Sequence, residues 1–226
     1  MISLTPQDTQ AVLLSIKVAT AATLISLPFG FGVACIFSFT RIPGRAVFEG
    51  IVNLPLVLPP IVTGYLLLLV FGSSGVLGPF LEQFGITVVF TAKGAVIASA
   101  VVGFPLLVRS IRIGMDSIKE QYLQAARTLG APWWDIVVSI IIPLSARAII
   151  GGMTLMFARS LGEFGATIIL AGNIPGVSQT IPLAIYDYTS TPGQDSMALV
   201  LCAVSISLSF FVLLVSEAGG SALKWR

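Results

Sequence analysis

The chain has 226 residues, of which 56% are apolar and only 10% charged, with a formal charge of +2 and no histidine. A water-soluble domain carries about 25% Asp, Glu, Lys and Arg, so this composition describes an integral membrane protein, and so small a net charge gives no basis for nucleic-acid binding. Zero histidine and two isolated cysteines, Cys35 and Cys202, offer no zinc site, Ser-His-Asp triad or histidine relay, so neither enzymatic activity nor a metal or other cofactor is expected.

Met1 to Gln10 carries one charge, Asp8, and no basic run, unlike the start of a signal peptide, so the apolar stretch behind it is expected to remain as a span. A bilayer core of about 30 Å needs roughly 20 apolar residues in helix. Val18 to Phe39 meets that without a charge, and within it Gly30-Phe31-Gly32 reads as a close-packing site between helices. Ile51 to Phe71 is the second span, in which Pro55, Pro59 and Pro60 predict a kink. Gly94 to Val108, bounded by Arg109 and Arg112, is the third; Ala148 to Leu170, carrying Arg159 and Glu163, is the fourth; Met197 to Ser216 is the fifth. Serine and threonine in the spans read as packing positions, and both cysteines, lying in long apolar stretches, as small hydrophobes. The expectation is one all-α, polytopic transmembrane domain over residues 1–226 with five membrane helices.

Lysine and arginine concentrate in cytoplasmic loops. With the N-terminus outside, the inner segments hold Arg41, Arg45, Arg109, Arg112, Lys119, Arg127, Arg147, Lys224 and Arg226, nine of the twelve basic residues. Lys17 and Lys93 then lie near helix ends on the outer side, and Ala171 to Ser196 has no basic residue. The consistent topology is N-out and C-in.

Between the third and fourth spans, residues 116–135 are too polar to cross a membrane and patterned as a short cytoplasmic helix. Ser117 to Glu120 has the S-x-x-E form of a capping box. Gly130 can close the helix in the left-handed conformation, and Pro132 comes soon after. Ile118, Tyr122, Ala125 and Leu129 recur at helical spacing and form one apolar face. Twelve residues give a rod of about 18 Å, which either lies in the headgroups or docks on a cytoplasmic protein; the small pair Ala125-Ala126 favours docking.

Gln124-Ala125-Ala126-Arg127-Thr128-Leu129-Gly130, nine residues, then Ile140-Ile141-Ile142-Pro143 resembles the EAA motif of ABC importer permeases, with Gln124 standing for Glu and Ile142 for Leu. The resemblance implies a coupling helix seated in a cleft of an ATPase subunit, with Glu120, Tyr122, Gln124, Ala125, Ala126, Leu129, Gly130, Ile140 and Pro143 as the partner-binding residues. Ala158 to Thr167, Gly172 to Gly176, Thr180 to Tyr186 and Leu54 to Tyr65 narrow it: together they are similar to the permeases of molybdate transporters, with sulfate permeases as near relatives. The chain's length and five predicted spans favour the molybdate branch. The implied assembly is a permease homodimer in the lipid bilayer, two copies of an ABC ATPase, and a periplasmic or lipid-tethered oxyanion-binding protein.

A dianion entering against an interior-negative potential climbs about 4–5 kcal/mol per 100 mV. No G-x-x-x-x-G-K-[ST] occurs in the chain, so it cannot cradle nucleotide phosphates itself, and the energy has to come through the short helix. A secondary transporter would be expected to show inverted repeats and more intramembrane ionisable residues, and a plain anchor leaves the capped helix unexplained.

Arg159 and Glu163 are four apart and share a helix face, which lets them neutralise each other in the membrane. Counted from Pro143 as the inner boundary, straight helix places Glu163 about 30 Å away, at the outer boundary. Gly162 and Gly165 flank the glutamate, and a break there would expose backbone N–H groups, the device by which interrupted helices meet anions. The stretch Gly162 to Thr167, with Arg159, is therefore the expected pathway or gate; the alternative is a purely structural ion pair.

Overall fold

The computed structural model describes residues 4–40 and 43–222. Arg41, Lys224 and Arg226, three of the basic residues in the charge bias, lie outside the described residues. Those described form helices and connecting turns, with no strand. Four helices are long and apolar enough to cross a membrane, and a bent pair of helices brings the number to five when the pair is taken as one span.

The first helix, α1 (Pro6–Phe39), has 34 residues and is therefore about 51 Å long. It starts well before the apolar stretch, so Lys17 lies well inside the helix rather than near its end. Its start is fixed by a capping box: Thr5 Oγ1 accepts from the Asp8 N–H at 3.2 Å, and the Asp8 carboxylate accepts from the Thr5 N–H at 2.7 Å.

The second crossing is broken. α2 (Arg45–Val57) and α3 (Pro60–Phe71) meet at 112°, far beyond the expected kink. Pro59 and Pro60 remove two consecutive backbone donors, and Pro59 disfavours helix at Leu58, so the chain turns there. α4 (Gly78–Gln83) is a short helix of six residues.

The third crossing, α5 (Ala92–Asp116), is the centre of the fold, packed mainly against α1 and against the helix Ile142–Leu161 of the fourth crossing. Ala95, Ala98, Val102, Leu107, Ile111 and Met115 are buried along it. It continues two turns past the apolar window because Ile111 and Met115 still pack in the core while Arg112 finds acidic partners in Glu49 and Asp116. Small residues permit the close helix approach: a Cβ on Gly30 would stand 2.9 Å from Leu107, although Gly32 faces open space, so only the first glycine of that pair packs as expected.

After α6 (Glu120–Thr128), α7 (Trp133–Ile136), a π turn (Val137–Ile141) and α8 (Ile142–Leu161) run on as one rod. The π turn ends just before Pro143, which has no N–H to continue the ladder. The fourth crossing therefore begins at Trp133, well before Pro143, and ends at Leu161, rather than covering Ala148 to Leu170. Beyond it the chain forms a separate turn of helix, α9 (Gly165–Leu170), then α10 (Ile181–Ser190) and α11 (Asp195–Ala222).

The outward surface is apolar. α2 has no buried residue and α3 only Thr63 and Gly64; Val57, Ile61, Leu69, Leu199 and Phe210 stand exposed, as a bilayer or another copy requires.

Candidate functional site

The two interrupted elements lie against each other. A Cβ on Gly64 of α3 would stand 2.8 Å from the Ala166 backbone of α9, and one on Gly165 would stand 2.8 Å from Pro60. Only residues without side chains allow so close an approach, and it seats the break after α8 on the bend before α3.

Glu163 sits in that break and is 2% exposed. Its Oε1 accepts from the Ala166 N–H at 2.8 Å, and its Oε2 forms an ion pair with Arg159 Nη1 at 2.7 Å. A buried carboxylate persists only when paired and hydrogen-bonded, and Glu163 is both. The pair forms although α8 has ended at Leu161 and Gly162 is outside the helix. The expectation that the break would leave backbone N–H groups open is corrected at Ala166, whose N–H is taken by the glutamate. Thr167, also within the segment, is buried at 1%. The hydroxyls of Thr63, Ser160 and Thr167 are buried without a hydrogen-bond partner among the described residues, so both sides of the junction carry polar groups in a mostly apolar interior.

Two carboxylates that sequence reasoning left aside organise the neighbouring segment. Asp187 accepts from Asn173 Nδ2 at 2.8 Å and from Gln179 Nε2 at 2.7 Å, pinning the connection between α9 and α10. Asp8, 2% exposed, accepts from the Tyr188 hydroxyl at 2.8 Å, which ties the start of α1 to α10. Burial, together with that hydrogen bond, pushes the Tyr188 phenol above its ordinary value. Neither carboxylate lies within one of the expected spans, and the scarcity of acidic residues, ten in the chain, was the one signal that marked them.

At the other end of α5 stands the short helix. The Ser117–Glu120 capping box does not form: Ser117 ends α5, where its hydroxyl donates to the Gly114 carbonyl at 2.7 Å, and α6 starts at Glu120 with Lys119 before it. The helix has nine residues, about 14 Å, and is shorter than expected. Gly130 does close it, at φ +77°, with its N–H donating to the Arg127 carbonyl and that of Ala131 to the Ala126 carbonyl. The apolar residues divide between two sides. Leu123 is buried, and Ile118, Ala126 and Ile140 pack against the same core cluster. Tyr122, Ala125 and Leu129 are exposed, Leu129 at 87%. Gln124 donates to Glu120 at 3.1 Å on the open side. Pro143 is exposed in the first turn of α8, apart from α6. Two exposed tryptophans missed by the motif reading, Trp133 and Trp134, come just after the helix, the first edge-on to Phe39.

The described residues contain no cluster able to hold a metal ion. Residues 26–218 match the family model for the binding-protein-dependent transport system inner membrane component. The chain is 50% identical over 215 residues to the molybdenum transport system permease protein ModB of Escherichia coli K12, covering 95% of this chain and 94% of that one. It is 46% identical over 211 residues to ModB of Haemophilus influenzae, covering 93% and 92%. In architecture it is similar to a chain of a bacterial ABC transporter involved in the import of the acidic polysaccharide alginate, with a TM-score of 0.74 at 15% identity over 98% of this chain and 82% of that one. With its crossings, its broken second span and its short helix in place, the chain belongs to the family of binding-protein-dependent transport system inner membrane components.

Proposed function

We propose that this chain is the membrane-spanning permease of an ATP-driven ABC importer for molybdate or a closely similar tetrahedral dianion. Two copies form the pathway, two ATPase subunits engage the two α6 helices, and a separate oxyanion-binding protein delivers the cargo from outside. The N-terminus is outside and the C-terminus inside. Hydrolysis belongs to the partner, and this chain supplies the route and the lever.

The observation that carries the reading is the division of α6. Leu123, Ala126 and Ile118 brace the helix on the chain's own core, while Tyr122, Ala125 and Leu129 face outward beside a glycine turn. A force applied to the outer side is passed directly to α5 and to the α7–α8 rod. Glu120, Gln124 and Gly130 complete the partner-binding surface; Ala126 and Ile140 act from beneath it, and Pro143 belongs to the rod behind. At the far end of that rod, Arg159, Gly162, Glu163, Gly165 and Thr167 form the junction with the α2–α3 bend, the point where movement of the rod opens or closes the route. Identity of one half with molybdenum permeases along nearly the whole chain supports the substrate class.

Co-purification with the ATPase tests the coupling face. Leu129→Asp is expected to abolish retention of the ATPase while leaving the melting temperature of the permease unchanged. Full retention by that variant would count against the reading.

A further inference from the structure

At the end of the bundle that carries α6, a cavity of about 500 Å³ opens between α1, α2 and α5. Phe37, Val52 and Val108 give it an apolar wall, and Glu49, Asn53, Arg109 and Arg112 supply its polar groups. The charges there do not cancel. Glu49 Oε1 lies 2.5 Å from Arg45 Nε and 3.0 Å from Arg112 Nη1, and Arg112 Nε lies 3.4 Å from Asp116 Oδ2. Three guanidinium groups thus stand near two carboxylates, and only those of Arg45 and Arg112 are paired with them. The surplus falls on Arg109, which lines the cavity and makes no ion pair among the described residues.

Arg112 is held in place from three sides, by Glu49, by Asp116 and by the Phe37 ring at 5.9 Å. Its two carboxylate contacts use Nε and Nη1, which leaves Nη2 as a donor. The Asn53 amide nitrogen donates to the Glu49 carbonyl at 2.7 Å, fixing that side chain too. A preset guanidinium beside an unpaired one, in a pocket partly walled by apolar groups, is an arrangement that recognises an anion with several oxygen acceptors.

We propose that this cavity binds a tetrahedral oxyanion, with Arg109 as the principal donor and Arg112 as the second. The bound species is either a free dianion of the molybdate, sulfate or phosphate type or the phosphate of an anionic lipid. The cavity is larger than the bare ion and leaves room for part of the hydration shell, so binding is weak and reversible, as suits a station at the end of the bundle rather than a capture site. Binding is a property of the full chain alone and needs no ATPase, so failure of the importer reading and failure of this one are distinguishable.

The full chain in nanodiscs of phosphatidylcholine, titrated separately with molybdate, sulfate and inorganic phosphate, tests the free-anion source. Native mass spectrometry from nanodiscs containing phosphatidylglycerol tests the lipid source. Saturable binding in one arm is expected, weakened about tenfold or more by Arg109→Gln and unchanged by Lys93→Gln, which removes the same charge from the opposite end of α5. Arg109→Lys keeps the charge without the fork and is expected to bind severalfold more weakly than the parent chain, a comparison that remains if the glutamine variant does not fold. Binding in neither arm, equal binding by the Arg109 variants, or an equal loss in Lys93→Gln would overturn the proposal.

Discussion

Glu163 shows how one side chain can serve two purposes at a helix break. Its carboxylate caps α9 through the Ala166 N–H and neutralises Arg159, so removing it unties both. Glu163→Gln retains an oxygen for the Ala166 N–H and loses the ion pair; Glu163→Ala loses both and is expected to cost about 3 kcal/mol or more, since one partner of a buried pair is left alone. Thermal unfolding of the two variants orders them. If the pair shapes the gate, Glu163→Gln also lowers uptake in vesicles; unchanged uptake with reduced stability would make the pair purely structural. The spacing of Arg159 and Glu163 was legible in the sequence, but the cap on Ala166 was not, because it depends on where the helix stops. The same reason separates the two capping boxes. Thr5-Pro6-Gln7-Asp8 and Ser117-Ile118-Lys119-Glu120 carry the same local pattern, yet only the first caps a helix. Met115 is buried at 1%, so packing carries α5 past the point at which local preference would have started a new helix, and Ser117 is used to end the old one.

At the scale of the elements, α6 shows what periodicity can and cannot reveal. Helical spacing gave a single stripe, whereas tertiary packing rotates the helix so that Leu123 turns inward and Leu129 outward. Two variants separate these sides. Leu123→Ala removes a buried side chain and is expected to destabilise the permease by about 2–4 kcal/mol, read as a lower melting temperature before any partner is added. Leu129→Ala changes little in the isolated permease and weakens association with the ATPase. The second crossing carries a related lesson. Three prolines announced a disturbance, but the 112° turn also needs the contacts at Gly64 and Gly165, which are invisible until α9 is known to lie against α3.

For the molecule as a whole, the scarcity of charge organises both ends. The α6 end holds Arg45, Glu49, Arg112 and Asp116 in one network, and the opposite end uses Asp8 and Asp187 as acceptors with no basic residue between Ala171 and Ser196. That asymmetry gives an orientation to measure: a cysteine at Val76, 85% exposed in the turn after α3, is expected to react with a membrane-impermeant maleimide from outside intact cells, and one at Leu129 only after permeabilisation. The apolar faces of α2 and α3 stand exposed in a single copy, as the proposed homodimer requires. The sequence contains no G-x-x-x-x-G-K-[ST] motif, and the proposed division of labour assigns hydrolysis to a partner subunit. Uptake by proteoliposomes containing this chain, its ATPase and its binding protein tests that division most directly, with molybdate, tungstate and sulfate compared in the presence and absence of ATP. Expected is ATP-dependent accumulation of molybdate that Leu129→Asp abolishes; accumulation that proceeds equally without ATP, or is untouched by that substitution, would contradict it.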